Sequence, residues 1–191
     1  MDHKLKHRDS EREYRNPIKT LKNEHLETLQ RLDMIERTLQ YLESLPTHTA
    51  MKRCKIEQSR LRNWVNELEA SMALHFIMEE EGLFPTLSEY IGKEHGPIEV
   101  MLEEHAEIRN ILSVWKDEVA VLSKSISGPV RDACLKRVIR IGEQAIERLR
   151  LHISKENQIL FKISEVSLSD AEKNVVAQKL YEIEAAYPEL P

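Results

Sequence analysis

Cysteine, glycine and aromatic residues are all scarce in this chain. Its 191 residues include two cysteines and five glycines, and aromatics make up 5%. Cys54 and Cys134 are too few for a disulfide scaffold or a thiolate zinc site. The scarcity of glycine and aromatics argues against a sandwich or barrel of short strands joined by tight turns. No run of about 18 apolar residues occurs, so nothing reads as a membrane span. The opening stretch MDHKLKHRDSEREYR is charged and lacks the apolar core of a signal peptide. A cytoplasmic protein is the default expectation. A net charge of −5 gives no general pull towards nucleic acid or anionic lipid. Charged residues, at 32%, and histidines, of which there are eight, are abundant. That balance suits long amphipathic helices, and the length suits one well-buried domain.

The hydrophobic pattern predicts an all-α fold, an antiparallel up-down-up-down four-helix bundle with an N-terminal arm and a short C-terminal helix. Residues 1–15 read as a solvated arm, 16–165 as the bundle and 166–191 as a C-terminal helix packed on the bundle or on a partner subunit. The first helix opens at Asn16-Pro17, a cap followed by proline at the first helical position, and stops at Pro46. Its apolar stripe is Ile18, Leu21, Leu29, Leu32, Ile35, Leu39 and Leu42. The second runs from about Thr49 to Gly82, with Leu61, Trp64, Leu68 and Met72 inward. The third opens at Gly96-Pro97 and runs to about Ser125, with Ile98, Met101, Ile108, Leu112 and Trp115 inward. The fourth follows Ser127-Gly128, opens near Pro129 and runs to about Ser164, with Val138, Ile141, Ala145, Leu149 and Ile163 inward. The connection from Leu83 to Gly96 is long enough for a helical turn of its own. In the final helix, opened by the capping pair Ser169 and Glu172, Val176, Leu180 and Ile183 form one stripe.

The chain repeats itself. NPIKTLKNEH at 16–25 aligns with GPIEVMLEEH at 96–105, an offset of 80, so each helix places a histidine eight residues after its opening proline. HFIMEEEGLF at 75–84 aligns with HISKENQILF at 152–161, an offset of 77, sharing the pattern H-x-x-x-E-x-x-x-L-F. Each hairpin therefore supplies one histidine and then a His-x-x-x-Glu pair. At a rise of about 1.5 Å per residue, His25 lies about 12 Å into its helix and His75 about 10 Å from the end of its own. The same arithmetic brings His105 and His152 to that level. Glu79 and Glu156 share the helix faces of His75 and His152.

A single His-x-x-x-Glu is more often a surface pair, and a lone core histidine is usually just hydrogen-bonded. Burying four imidazoles and two carboxylates at one level is costly unless something pairs them. The expected ligands are therefore His25, His75, Glu79, His105, His152 and Glu156. They are too many for one tetrahedral ion and suit two ions, each with two histidines, bridged by both glutamates. Imidazole and carboxylate suit iron, manganese or zinc. The spacing leaves open which histidine serves which ion.

These residues resemble the hemerythrin family, specifically its HHE cation-binding domains, over roughly residues 17–164. The resemblance implies two iron ions, oxo- or hydroxo-bridged, with manganese or zinc as substitutes. Dioxygen-carrying members have a further histidine on the third helix, in an H-x-x-x-H pair. Here Met101 and Arg109 stand four residues either side of His105, so the chain is similar to the four-histidine, two-glutamate variety. That similarity implies an additional open position for dioxygen, nitric oxide or peroxide, which the protein would bind or reduce. The alternative is an iron- or oxygen-sensing, iron-storage or iron-centre-repair module without turnover. A monomer or homodimer is expected.

Other residues read less specifically. His95 and Tyr90, in the connection at the site's end of the bundle, could gate the site, although a loop histidine beside a helix start explains His95 as well. His3 and His7 read as solvent-exposed, and His48 falls at the opposite end. Cys54 and Cys134 fall near that far end, about 30 Å from the site, and read as ordinary buried cysteines. Glu24, Glu80 and Glu104 neighbour ligands and are candidates to orient imidazoles.

Overall fold

The computed structural model describes residues 16–45, 51–124 and 129–188. The expected arm with His3 and His7, the stop at Pro46, His48, Thr49 and Ser127-Gly128 lie outside the described residues. Those residues are all helical, and no strand occurs among them. The helices are α1 (Pro17–Ser44), α2 (Met51–Ile77), a π-helical segment (Met78–Leu83), α3 (Phe84–Ile91), α4 (Pro97–Lys124), α5 (Pro129–Gln158), α6 (Leu160–Ser167) and α7 (Asp170–Ala186). No helix among the described residues is long and apolar enough to cross a membrane.

Local chemistry explains the ends. Asn16 Oδ1 accepts the backbone N–H of Lys19 at 3.1 Å, and Pro17 follows where no donor is needed. Ser169 and Glu172 form a reciprocal capping box at the start of α7. Gly82 does not end the second helix as its sequence position suggests. The chain continues through the π segment into α3, because Pro85 falls in the first turn of α3, where its missing N–H costs nothing. The connection from Leu83 is thus mostly helix. The fourth helix is interrupted at Ile159 and resumes as α6, ending at Ser167 rather than Ser164.

Two compact units emerge: Met1–Leu26, Ala73–His105 and His152–Pro191 form the first, and Glu27–Met72 and Ala106–Leu151 the second. In the first unit, Ile18, Leu21, Met78, Leu83, Met101 and Phe161 belong to one core cluster with Val176 and Leu180 of α7. The absence of a side chain at Gly82 makes that contact: a Cβ there would lie 2.7 Å from Leu180 Cδ2. Tyr90 ties α3 to α7 by donating its hydroxyl to Glu172 at 2.6 Å.

The second unit packs Leu32, Leu39, Leu61, Leu68, Leu112 and Leu149 around Trp115, all buried. Trp115 donates its indole N–H to the Val138 carbonyl at 3.0 Å. Gly142 lets a helix approach that ring, since a Cβ there would lie 2.6 Å from Trp115 Cζ2. Most expected core positions are buried. Leu29, Trp64, Ile141 and Ile163 are only half-buried. Val65 takes the inward place next to Trp64, and the Trp64 ring instead lies under the Arg60 guanidinium.

Candidate metal centre

Every candidate ligand falls in the first unit. His25 comes from α1, His75 from α2, Glu79 from the π segment, His105 from α4, and His152 and Glu156 from α5. None is more than 3% exposed. They form two groups that share both glutamates: His25, His75, Glu79 and Glu156, and His105, His152, Glu79 and Glu156. Within each group the ligand-capable atoms lie within 4.8 Å of one another. The Nε2 atoms face the carboxylates: His25 is 3.3 Å from Glu156, His75 3.4 Å from Glu79, His105 3.4 Å from Glu79 and 3.7 Å from Glu156, and His152 3.2 Å from Glu156.

The opposite ring nitrogens are held from outside. His75 Nδ1 lies 2.6 Å from Glu24, His105 Nδ1 2.7 Å from Glu80, and His152 Nδ1 3.1 Å from Glu104. A carboxylate only accepts, so each fixes its imidazole as Nδ1–H and turns the Nε2 lone pair inward. Lys155 also reaches Glu104. His25 differs, with Nδ1 3.2 Å from Asn157 Oδ1. Asn157 escapes a sequence reading based on carboxylates, although the repeat puts it after Glu156 just as Glu80 follows Glu79. Aromatic rings wall the cluster: His105 stacks on Phe76 and Phe84 with centroids 4.0 and 5.8 Å away, and His25 on Phe161 at 5.1 Å. Phe84 and Phe161 close the repeated H-x-x-x-E-x-x-x-L-F pattern, and each stacks on a histidine of the other hairpin.

Without cations the cluster relies on protons. Burial alone would push His105 down, but the carboxylates of Glu156, Glu79 and Glu80 outweigh it and hold His105 up at about 10. His75 is likewise raised well above the usual imidazole range, against its burial, chiefly by Glu79 and Glu24. Burial and Glu156 would raise Glu79, yet the facing histidines His75 and His105 hold it below the ordinary carboxylate range. Glu156 is lowered further, against its burial, by His105, His152 and His25. Even so, both oxygens of Glu79, both of Glu156, and Nε2 of His105 and of His152 have no hydrogen-bond partner. Buried polar atoms left this way carry a large desolvation cost. Two divalent cations fit this donor set, because they would engage these lone pairs together.

The π segment begins at Met78 and contains Glu79 and Glu80, whereas the matching stretch of α5 stays α-helical through Glu156. The two repeats therefore present their glutamates from different backbones, and no sequence signal separates them. π turns recur at functional sites.

The other residues singled out stand apart. The His95 side chain is 92% exposed, with Nδ1 3.7 Å from Glu99. Its backbone N–H donates to Glu99, and its φ is +57°. Cys54 and Cys134 are buried and unbridged in the second unit. Arg131 lies 2.8 Å from the Cys54 sulfur and Arg137 3.2 Å from that of Cys134. Neither thiol belongs to either ligand group.

Residues 16–164 match a family model described as the hemerythrin HHE cation binding domain. No curated protein matches the chain.

Proposed function

The chain belongs to the hemerythrin HHE cation-binding domain family, and from that premise we propose that it is a non-haem di-iron protein that binds a small oxidant or diatomic molecule. In this reading the main helices run up-down-up-down as a four-helix bundle. His25 and His75 serve one ion, His105 and His152 the other, and Glu79 and Glu156 lie between both. The observation that carries it is the set of buried carboxylate oxygens and imidazole nitrogens aimed at one another without partners. Iron bound there would supply redox-active Lewis-acid chemistry at an open position.

The chain's own residues prepare the site for that chemistry. Glu24, Glu80 and Glu104 hold the Nδ1 protons of His75, His105 and His152, which keeps the Nε2 lone pairs available. Phe76, Phe84 and Phe161 exclude water, so charge–charge interactions inside are strong. Met101, one turn before His105, offers no further nitrogen ligand. With Leu160 it lines a cleft of about 570 Å³, a route of approach for a small apolar molecule.

The test is spectroscopy of anaerobically loaded ferrous protein exposed in turn to dioxygen, nitric oxide and peroxide. A new absorption band with at least one of them is expected. A spectrum unmoved by all three, in protein that holds two irons, would leave the alternative. That alternative is an iron-handling or sensing module whose metal loading is read through folding. It draws on the same orphaned charges, since cations that engage them would stabilise the first unit.

A further inference from the structure

The repeat that builds the site is broken at one outer position, and the break falls on one ion's ligands only. Glu24 and Glu104 hold His75 and His152, and Glu80 holds His105. The fourth corner is Asn157, which faces His25 with an amide at 3.2 Å, the longest of the four contacts. We propose that Asn157 makes the position bounded by His25 and His75 the weaker of the two, so that the first cation taken up settles between His105 and His152. This rests on the two-ion reading above.

Two independent observations support it. First, an amide carries both a donor and an acceptor, and a half-turn about its last bond exchanges them. A carboxylate forces Nδ1–H on its histidine, whereas Asn157 serves His25 in either tautomer. In one of those tautomers Nε2 carries the proton and cannot ligate. Second, the inner nitrogens already differ. His25 Nε2 and His75 Nε2 are 2.9 Å apart and hydrogen-bonded, so one of them carries a proton. Nε2 of His105 and of His152 have no partner. A cation entering beside His25 must break a hydrogen bond that has no counterpart beside His105. Charge acts the same way: the outer partners are a carboxylate and an amide on one side, and two carboxylates on the other. Lys155 offsets one of those two, but its side chain is 48% exposed and water screens it.

The test uses the metal-free full chain given one equivalent of zinc and crystallised, with occupancies read from anomalous scattering. Losing one outer partner costs about 10- to 100-fold in metal affinity. The position beside His105 and His152 should therefore hold about tenfold more zinc or greater. Asn157→Asp should bring the ratio near one, and Glu80→Gln should do so from the opposite side. In metal-free protein, the ¹⁵N shifts of His25 should show Nε2–H in the wild type and its loss in Asn157→Asp. Two zinc positions of equal occupancy in the wild type, or a ratio unmoved by both substitutions, would overturn the asymmetry and leave the two-ion reading intact. Uptake of no zinc would overturn both.

Discussion

Set side by side, the two compact units bury comparable apolar side chains but very different polar ones. In the second unit the buried polar groups are Thr28, Thr38 and Gln58, each with a nearby partner. Thr38 donates to the Met34 carbonyl at 3.0 Å, and Thr28 and Gln58 reach the sulfurs of Met72 and Cys54. Apart from Arg131 Nε, no buried side-chain polar atom described there is left over. The first unit buries four imidazoles and two carboxylates and leaves half a dozen of their atoms without partners. One unit is closed by its own side chains, and the other is built around charge it does not itself neutralise. Stability in the second should follow packing, and in the first it should follow cations.

The largest effect should come from stripping the metal. Hydrogen exchange should accelerate at amides of 75–83 and 152–158 while 108–122 stays protected. At free metal about 100-fold over its Kd, the loaded form is favoured by about 2.7 kcal/mol. Uniform acceleration in both units would erase the distinction. Trp115→Ala should show the reverse: a loss of about 3–5 kcal/mol in denaturant titration, with metal content unchanged. If it emptied the site, the two units would not be separable in this way.

Protons sharpen the contrast next. His75 and His105 are raised in the folded metal-free protein, so their contribution is fully present below the unfolded imidazole value, about 6.5. It fades as pH rises towards about 10 for His105. Glu79 and Glu156 are lowered, so their contribution is present above the unfolded carboxylate value, about 4.3, and is lost as pH falls through their folded values. Metal-free protein should therefore be most stable between about pH 4.3 and 6.5. Metal-loaded protein needs neutral imidazoles and should gain on it as pH rises. Melting curves of both forms from pH 4 to 9 check the sign, and parallel profiles would contradict it.

A smaller effect is expected at the glycines. Gly142→Ala drives a methyl into Trp115 and should cost about 1–3 kcal/mol. Gly82→Ala should cost less, since Leu180 can swing aside. His95→Ala should change metal content not at all.

Much of this was legible in the sequence because the repeat is periodic in the same way as the helices. Histidines at matched distances from matched prolines had to reach one depth, and the ligand-capable atoms do converge in the first unit. The π segment was not legible, because a widened turn depends on how Gly82 meets Leu180 across sequence-distant helices. The pairing of His25 with His75, and of His105 with His152, needed lateral packing that spacing along a helix does not contain. Trp64 was misplaced for a similar reason. At the edge of the apolar stripe, whether the tryptophan or its neighbour Val65 turns inward depends on the opposing helix. Asn157 was visible in the alignment of the repeats but carried no charge to draw notice.

The most direct test of the central claim is elemental analysis of the full chain after anaerobic loading with ferrous iron and removal of excess, for wild type and Glu156→Ala. The account predicts two ions per chain in the wild type and at most one in the variant. Wild-type protein that retains no metal, or a variant that retains as much as the wild type, would contradict it.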